Sequence, residues 1–478
     1  MVGTLDCDIC VIGAGSAGLT VAAGAAGMGA ATVLFERGRM GGDCLNYGCV
    51  PSKALLAAAR AAEAMRQAER FGIGAVAPAI DFRRVHDHVH GVIAAIAPHD
   101  SEERFRAMGV DVVRQSARFV GPREVEAEDG RRVRARRFVI ATGSSPALPP
   151  VAGLAGVPHF TNETIFDNAD CPAHLIVLGG GPIGMEMAQA HRRLGARVTV
   201  LEMATVLGAD DPELVAVVKA RLGAEGVDIR EGVRAERAAA TAGGVAVTLA
   251  GHDGGTGETI EGSHLLVAAG RRPNVEDLGL EAAGIAHSPA GIGVDARLRT
   301  SNRRVFAIGD VVTGGPQFTH AAAYQASIVM RNALYRLPAR VDYRALPSVT
   351  FTDPELAQVG PSEARARESH GRVRVLRWPF ADNDRAQTER ATEGLVKVVT
   401  GRGGRVLGAG IVGAQAGELL LPWVLAVGRR LRIGAMANLI APYPTLSEAG
   451  KRAAVAFFIP LLFSPRTRKI LKILAKFG

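Results

Sequence analysis

Two cysteines five positions apart are the residues of this chain best suited to chemistry. Cys44 and Cys49 lie in the segment GGDCLNYGCVPSK, which runs from Gly41 to Lys53. A cysteine pair that closes to a disulfide can accept two electrons and open to two thiols. At this spacing the pair can close across the first turn of a helix, whose partial positive charge favours a thiolate. We therefore interpret the pair as redox-active rather than as two buried structural cysteines.

The composition excludes several other classes of protein. The chain has 478 residues, 48% of them hydrophobic, and a net charge of +9. Most of its basic residues are arginines scattered among acids, and the charge excess is partly a C-terminal feature. No nucleic-acid-binding motif accompanies this charge, and no run of residues is long and apolar enough to span a bilayer. Five cysteines without a signal-peptide pattern favour a reducing, cytoplasmic setting, where a cysteine pair is more often catalytic than structural.

The chain opens with a dinucleotide-binding pattern. Residues 7–12 predict a buried strand, and the turn GAGSAG follows with Gly13, Gly15 and Gly18. A helix of small residues and a second strand come next, and that strand ends at Glu36. The glycines permit a tight turn and the close approach of a pyrophosphate, while the acid receives ribose hydroxyls.

The same plan returns later in the chain. The strand HLIVLGG leads into Gly179, Gly181 and Gly184, and the following strand ends at Glu202. In both copies the first glycine precedes the acid by 23 residues. Two matched copies predict two dinucleotides, one in each of two domains.

The second acid predicts which nicotinamide nucleotide is bound. A carboxylate at the end of that strand accepts hydrogen bonds from a free 2′-hydroxyl and repels a 2′-phosphate. Residues 203–205, Met-Ala-Thr, supply no positive charge. We therefore expect NADH rather than NADPH, the alternative being that Glu202 is a surface glutamate without a role.

Together these features resemble the class I pyridine nucleotide-disulfide oxidoreductases, such as lipoamide dehydrogenase, glutathione reductase and mercuric reductase. The resemblance covers nearly the whole chain and implies an enzyme that uses FAD and NAD(P)H. It also implies an α/β fold with two Rossmann-like domains, for FAD and NAD, plus an α+β dimerisation domain. Further matching segments are VIATGSSP (139–146), AAGRRPN (268–274), VFAIGDV (305–311), FTHAAAYQA (318–326) and PYPTLSE (442–448).

The family's domain order implies boundaries for this chain and a homodimer whose active sites borrow residues from the partner's C-terminal domain. The implied segments are an FAD-binding part (1–150), an NAD(H)-binding domain (151–270), a second FAD-binding part (271–345), a dimerisation domain (346–455) and a basic tail (456–478).

The resemblance also assigns cofactor contacts, on the glycine motifs, on the strand-ending acids and on the segments that cross between domains. The residues assigned to FAD are Gly13, Gly15, Gly18, Glu36, Thr142, Gly143, Gly309 and Asp310; those assigned to the nicotinamide nucleotide are Gly179, Gly181, Gly184 and Glu202; Gly270 is assigned to cofactor binding as well.

The catalytic residues implied by the family begin with the cysteine pair. Cys49 would be the thiol against the flavin and Cys44 the outer thiol that meets the acceptor. Lys53 would lie near the flavin N5 and pair with Glu186, where its charge favours the reduced, anionic ring. A helix opening near His320 would aim its N–H groups at the flavin with the same effect.

One departure concerns the C-terminal catalytic motif. Tyr443 stands where the family's disulfide reductases have a histidine, five residues before Glu448, which is kept. Histidine, with a pKa of about 6.5, exchanges protons at neutral pH, whereas tyrosine, at about 10, is mostly a donor. We therefore predict a donor or positioning role for Tyr443. The acceptor stays open between a small disulfide, lipoamide, a metal ion such as mercury and a quinone.

Histidines elsewhere are weaker candidates. His99, next to Asp100, could replace the missing base, but a solvent-facing position after Pro98 is favoured. His86, His88 and His90 invite a metal site, yet the flanking sequence predicts a helix that would fan them around its axis. We expect a solvated helical face there and no metal.

Four further residues complete the survey. Cys7, Cys10 and Cys171 are expected to be inert. Asp43 occupies a place where many relatives have a threonine that can donate to the FAD pyrophosphate. An acid beside a phosphate repels it unless the carboxylate turns away.

The tail predicts a short basic amphipathic helix. Such a helix can dock on an anionic membrane surface or a partner, or pack against its own dimer. A binding or scaffold subunit with an idle redox core is the non-enzymatic alternative. The apolar residues are Ile470, Leu471, Ile473, Leu474 and Phe477, and the basic ones are Arg468, Lys469, Lys472 and Lys476.

Overall fold

The computed structural model describes residues 4–251 and 256–477, so the first three residues of the predicted FAD-binding part and the last residue of the tail lie outside it. The chain divides into two compact units. The first comprises Met1–Ala58, Ala79–Gly179 and Ala235–Asp342, and the second Ala59–Pro78, Gly180–Arg234 and Tyr343–Gly478. Among the described residues, no helix is long and apolar enough to cross a membrane.

The strands of the described residues are mostly short and are numbered in chain order. They are β1 (Thr4–Ile12), β2 (Thr32–Phe35), β3 (Val110–Val113), β4 (Ala117–Gly121), β5 (Glu124–Ala127), β6 (Arg132–Ile140), β7 (Ser144–Pro146), β8 (His174–Leu178), β9 (Arg197–Glu202), β10 (Val227–Glu231), β11 (Ala235–Thr241), β12 (Gly244–Ala250), β13 (Thr256–Gly262), β14 (His264–Val267), β15 (Arg271–Pro273), β16 (His287–Ser288), β17 (Gly291–Ile292), β18 (Val305–Ala307), β19 (Pro347–Thr350), β20 (Glu355–Val359), β21 (Arg374–Pro379), β22 (Leu395–Thr400) and β23 (Val406–Gly413).

The α-helices of the same residues range from one turn to five. They are α1 (Ser16–Gly27), α2 (Gly42–Asn46), α3 (Cys49–Arg66), α4 (Phe82–Ile96), α5 (Glu102–Ala107), α6 (Pro182–Arg193), α7 (Pro212–Ala224), α8 (Thr319–Ala333), α9 (Glu363–His370), α10 (Asp384–Thr388), α11 (Ala416–Leu419), α12 (Leu421–Gly428), α13 (Ile433–Ala437), α14 (Ser447–Val455), α15 (Ile459–Leu462) and α16 (Pro465–Leu474). Short 3₁₀ turns lie at Ala68–Phe71, Ala97–Asp100, Leu154–Gly156, Ile165–Asp167, Gly309–Val311, Phe380–Asp382 and Arg402–Gly404.

The first unit is organised by a sheet with the strand order β3-β2-β1-β6-β5-β4, to which β18 adds beside β6. The inner strands are parallel, with Cys10 in register with Val33 on β2 and with Phe138 on β6. Apolar clusters cover both faces of this sheet, which explains why β1 ends in a continuous apolar run rather than in alternation. In the same unit, β14 pairs in parallel with β8, and β11, β12 and β13 form an antiparallel sheet.

The second unit contains an antiparallel sheet with the order β19-β20-β23-β22-β21. Helices α12 and α14 pack on it, around the fully buried side chains of Trp423 and Phe380. Strand β10 pairs in parallel with β9 in this unit. The predicted α/β class with an α+β C-terminal part is confirmed, while the finer domain boundaries stay predictions.

Candidate active site

The cysteine pair lies on two consecutive helices, a short one and a long one. Cys44 is in α2, and Cys49 is the first residue of α3, with Tyr47 and Gly48 between the helices. The pair therefore bridges a helix–helix junction rather than the first turn of a single helix. Cys49 keeps the helix N-terminal position that stabilises a thiolate.

The loop that carries the cysteines is packed against the first glycine motif. The Gly41 N–H donates to the Ala14 carbonyl at 3.0 Å. Gly42 has a φ of +59°, and a Cβ built on it would lie 2.6 Å from the Gly15 Cα. A side chain at Gly42 would therefore separate the dithiol loop from the nucleotide-binding turn.

The two thiols have opposite acidities. Both are free and hydrogen-bonded to each other. The hydrogen bond from Cys44 is the main cause that lowers the pKa of Cys49 to about 6. Burial opposes this shift, while Thr319 and the charge of Lys53 add to it. The same bond, followed by burial, raises the pKa of Cys44 far above its ordinary value. At neutral pH the arrangement favours a Cys49 thiolate beside a Cys44 thiol.

Thr319 is a site residue that the sequence reasoning missed. Its Oγ1 lies 3.3 Å from the Cys49 Sγ. It is also the first residue of α8, so the helix does open at the predicted place beside His320. The segment FTHAAAYQA was recognised in the sequence, but the sequence did not show that its threonine lies beside Cys49.

The first glycine motif forms the predicted turn. Gly13 has a φ of +103°, and a Cβ on it would lie 2.5 Å from the Ala141 carbonyl oxygen. Glu36 accepts from the N–H groups of Ala14 and Gly38, at 2.6 Å each. The turn thus has glycine at its points of closest contact, with a fixed acid at its edge. That arrangement fits a dinucleotide such as FAD, with its pyrophosphate on the turn and its ribose at the acid.

The second motif repeats this geometry atom for atom. Gly179 has a φ of +108°, and its Cβ would lie 2.5 Å from the Ala268 carbonyl oxygen. Glu202 accepts from the N–H groups of Gly180 and Ala204, at 2.8 Å each. The residues fit a second dinucleotide for the same reason as in the first copy.

The remaining glycines of the motifs differ in how much space they leave. A Cβ on Gly18 would lie 1.8 Å from the Gly13 carbonyl oxygen, so only glycine lets the helix start here. Gly181 is the N-cap residue of α6, and a Cβ there would meet open space. Gly184 is buried in α6.

The crossover segments are tied together in the first unit. Thr142 donates from its Oγ1 to the Asn274 carbonyl at 2.8 Å, and the Asn274 side chain returns a bond to the Thr142 carbonyl at 3.0 Å. The Asn274 N–H donates to the Gly143 carbonyl at 2.9 Å. Gly270 accepts from the Ala147 N–H at 3.0 Å.

Asp43 has two partners that the sequence did not suggest, the cation Arg271 and the neutral amide Asn162. Its Oδ1 lies 3.2 Å from Arg271 Nη2 and accepts from Asn162 Nδ2 at 2.9 Å. Arg271 in turn donates to Asn162 Oδ1 at 3.1 Å. The carboxylate is therefore paired with a cation, which removes the repulsion that an isolated acid would exert on a phosphate.

Asp310 belongs to the same network. Ser144 donates to its carboxylate at 2.8 Å and receives a bond from Arg271 Nε at 2.7 Å. Burial is the main cause that raises the pKa of Asp310. The preceding Gly309 donates its N–H to Gln325, a fully buried side chain, at 2.6 Å.

Lys53 and Glu186 lie in different units. Lys53 donates to the neighbouring Ser52 hydroxyl at 3.2 Å. Glu186 is buried and accepts from the Phe351 N–H at 2.9 Å. Their pairing stays a prediction.

Tyr443 is exposed, with 69% of its surface accessible. Its hydroxyl donates to Asp384 at 3.0 Å, and that bond is the main cause that raises the pKa of the phenol. Glu448 lies in the first turn of α14 and adds a smaller repulsion in the same direction. The tyrosine is thus protonated at neutral pH, as its predicted donor role requires.

The weaker candidates have ordinary surroundings. His99 is exposed on a 3₁₀ turn, as the solvent-facing alternative expects. His86 and His90 face each other on α4 with ring centroids 4.2 Å apart, and His88 is exposed. Within residues 4–251 and 256–477, no group of three histidines, cysteines or acids could hold a metal. Burial raises the pKa of Cys7 to about 12, which makes this thiol unreactive.

Comparison with known proteins gives consistent matches over most of the chain. Residues 7–326 match the family model described as pyridine nucleotide-disulphide oxidoreductase, and residues 346–454 match the dimerisation domain of that family. A mercuric reductase of Streptomyces lividans is 36% identical over 94% of this chain and 96% of its own length. A dihydrolipoyl dehydrogenase of Thermus scotoductus is 38% identical over 94% and 97%.

Solved structures agree. The HOCl-induced flavoprotein disulfide reductase RclA of Escherichia coli, solved as a Cu(II) complex, superimposes with a TM-score of 0.84 at 27% identity, over 94% of this chain and 99% of that one. LpdA of Mycobacterium tuberculosis gives a TM-score of 0.85 at 30% identity, with the same coverage.

Proposed function

The chain belongs to the class I pyridine nucleotide-disulphide oxidoreductases, and on that premise we propose which of its residues carry the reaction. It is an FAD-dependent enzyme that takes electrons from a nicotinamide nucleotide and passes them through a redox disulfide. Bound FAD supplies the step that converts a hydride into an electron pair for the disulfide. The chain also carries the family's dimerisation domain and is a homodimer.

We assign the inner and outer sulfurs from their positions and acidities. Two electrons and one proton convert the Cys44–Cys49 disulfide into a thiol and a thiolate. Cys49, with its pKa lowered to about 6, keeps the negative charge, while Cys44 takes the proton. Thr319, 3.3 Å from the Cys49 sulfur, holds that thiolate in place. The position of Cys49 at the N-terminus of α3, with the Thr319 hydroxyl beside its sulfur, is the observation that carries the assignment of Cys49 as the flavin-side thiolate and Cys44 as the exchanging thiol.

Lys53 supports the same charge distribution. Its ammonium lowers the pKa of Cys49 by Coulombic attraction. We propose that it acts on the flavin as well, with Glu186 as its counter-ion. The N-terminus of α8, beginning at Thr319, adds its partial positive charge.

We propose NADH as the preferred electron donor. Glu202 is fixed by two backbone N–H groups, so its carboxylate cannot easily turn away from a nucleotide ribose. A 2′-phosphate at that place would meet an uncompensated negative charge. Glu202 and the two N–H groups that it accepts from all lie in the second unit.

The acceptor reached through Cys44 is proposed to be a small disulfide. Cys44 gives up its proton and attacks the substrate disulfide, whose S–S bond breaks, and the first substrate sulfur leaves as a thiol with that proton. The Cys49 thiolate then attacks Cys44 in the mixed disulfide, which re-forms the Cys44–Cys49 disulfide and releases the second substrate sulfur as a thiolate. We propose that Tyr443, protonated and hydrogen-bonded to Asp384, acts as a donor to the second leaving thiolate.

A thiophilic metal ion is the second candidate acceptor. The two sulfurs are soft ligands suited to such ions. Relatives named mercuric reductase and a related structure solved with Cu(II) favour this candidate. Lipoamide is a weaker candidate acceptor, because Tyr443 cannot cycle a proton near neutral pH as a histidine does. Quinones are tested beside it.

Anaerobic reduction by NADH tests the dithiol route. One equivalent of NADH per chain should expose two new thiols to a thiol reagent and produce long-wavelength absorbance from a thiolate beside oxidised flavin. Cys44→Ser should show that absorbance before NADH is added and should lose turnover with disulfides, while Cys49→Ser should lose both. The matched control is Cys171→Ser, an exposed cysteine outside the motif, which should behave like the parent.

Two outcomes would reject the proposal. Persistence of the absorbance in Cys49→Ser would place the thiolate elsewhere. Failure of the parent enzyme to oxidise NADH with any disulfide, metal ion or quinone would instead favour the scaffold alternative. We propose a cytoplasmic setting because NADH and free thiols are both maintained there. A contact between the tail and a membrane is a separate proposal with its own structural support.

A further inference from the structure

The last two helices extend beyond the family's dimerisation domain. The match to that domain ends at residue 454, and the chain continues through α15 and α16. The segment between α14 and α15 contacts the first residue of β21. Arg374 lies over the Phe457 ring at 4.5 Å and donates to the Ala456 carbonyl at 3.4 Å. From Ile459 onward the side chains become exposed. We restrict the name tail to residues 459–477, the exposed part of the predicted segment 456–478.

The tail exposes many large apolar side chains for its length. The Ser464 hydroxyl caps α16 by accepting from the Thr467 N–H at 3.1 Å, which fixes where the helix starts. The helical period then places the apolar residues of α16 on one side. The exposed apolar residues are Ile459 (42%), Leu461 (67%), Leu462 (54%), Phe463 (65%), Ile470 (55%), Leu471 (57%), Ile473 (49%), Leu474 (56%) and Phe477 (83%).

The charge of the tail has a single sign. No acidic residue follows Glu448 in the sequence. On α16 and the residues just after it, Arg468, Lys469, Lys472 and Lys476 lie opposite the apolar side at the 3.6-residue period. Arg466 adds a fifth positive charge at the start of the helix. An apolar stripe flanked by cations only is complementary to a surface that is apolar inside and negatively charged at its edge.

We propose that the tail binds the surface of a membrane rich in anionic phospholipids. The apolar side enters at the level of the headgroups, and the basic side meets the phosphates. Ten residues of helix span only about 15 Å, too short to cross a bilayer, so the contact is peripheral. The tail of a second copy is a poorer occupant, because it brings the same positive charges and no acid to pair with them.

The dimer strengthens such a contact. A homodimer has two tails, and when both engage one surface the second binds at a high effective concentration. Each basic side chain near an anionic surface contributes about a fivefold gain in binding. Moderate affinity of one tail is therefore sufficient for the enzyme to partition onto membranes at low salt.

Co-sedimentation of the full FAD-loaded enzyme with vesicles tests this proposal. The parent should bind vesicles of phosphatidylcholine with phosphatidylglycerol, bind pure phosphatidylcholine far more weakly, and be released by salt. Lys469→Glu with Lys472→Glu should weaken binding at least roughly 25-fold. Leu471→Ser with Leu474→Ser should also abolish it, since the apolar side is then lost.

The matched control is Arg83→Glu with Arg84→Glu, which changes the net charge equally on the exposed face of α4. Its binding should match that of the parent. The proposal is overturned if the parent does not sediment with anionic vesicles or if the control loses as much binding as the tail variant. It is also overturned if a chain ending at Phe458 elutes as a monomer, because the tail would then be a subunit contact. NADH oxidation in solution should be unchanged in both tail variants, which separates this test from that of the proposed function.

Discussion

The hydroxyl of Tyr443 donates a hydrogen bond of 3.0 Å to the carboxylate of Asp384. The bond fixes the tyrosine at the place where the family's disulfide reductases have a histidine, and it fixes its protonation as well. A phenol that donates to a carboxylate ionises less readily, because the phenolate would face a like charge. Tyr443 is therefore a group that stays protonated at neutral pH and acts as a hydrogen-bond donor rather than cycling a proton.

Replacing Asp384 by asparagine should make Tyr443 more acidic. The change removes the charge and keeps the size of the side chain, so the pKa of the phenol should fall toward its ordinary value of about 10. The chain has five tyrosines, so the ultraviolet titration of Tyr443 is obtained as the difference between each protein and its Tyr443→Phe form. An unchanged difference titration would show that the bond does not form in solution.

Replacing Thr319 by valine should make Cys49 less acidic. Loss of the hydroxyl removes a donor to the thiolate, and a hydrogen bond to a charged group contributes enough to raise the pKa by about one unit. The rate of alkylation against pH in a Cys171→Ser background measures this, with the midpoint moving upward from about 6. Thr319→Ser restores the hydroxyl and should restore the midpoint; a midpoint that stays high would assign the effect to packing.

Replacing Glu202 by glutamine should weaken NADH binding and narrow the preference over NADPH. The neutral side chain loses the charge-assisted bond to the ribose, for which we expect about a tenfold rise in the KM for NADH with little change in kcat. Steady-state kinetics with both nucleotides provide the measurement. The control is Glu36→Gln, the equivalent position of the first motif, which should reduce FAD retention and leave the KM ratio of the two nucleotides unchanged.

Replacing Lys397 by methionine should destabilise the second unit. Its ammonium is 5% exposed and contacts three carboxylates, Asp211 and Glu213 at 2.8 Å and Glu363 at 3.1 Å. Removing it leaves buried negative charge uncompensated, which costs about 3–5 kcal/mol of unfolding free energy.

Chemical denaturation followed by far-ultraviolet circular dichroism measures that loss. The matched control is Lys219→Met, where a half-exposed lysine pairs with Glu231 alone and should cost at most about 1 kcal/mol. Equal losses in the two variants would show that burial of the Lys397 cluster has no particular weight.

Features set by neighbouring residues were predictable from the sequence. Both glycine turns and their acids were, because a turn, a strand and a carboxylate within 23 residues determine one another. The helix beginning beside His320 was predictable for the same reason.

Features that join distant segments were not. Thr319 lies 270 positions from Cys49, and Asp384 lies 59 positions from Tyr443. The partners of Asp43 come from two other segments, Asn162 and Arg271. No local pattern states which polar side chains will meet after folding, since that depends on how the sheets bring those segments together.

The close contact between Gly42 and Gly15 couples the cysteine motif to the first glycine motif. The cysteine loop rests on the bare backbone of the nucleotide turn, with no room for even a methyl group between them. A design that transfers the two cysteines into another scaffold would therefore have to include the glycine turn on which their loop packs. Random substitution in a directed-evolution library should therefore find Gly42 among the least replaceable positions of the loop.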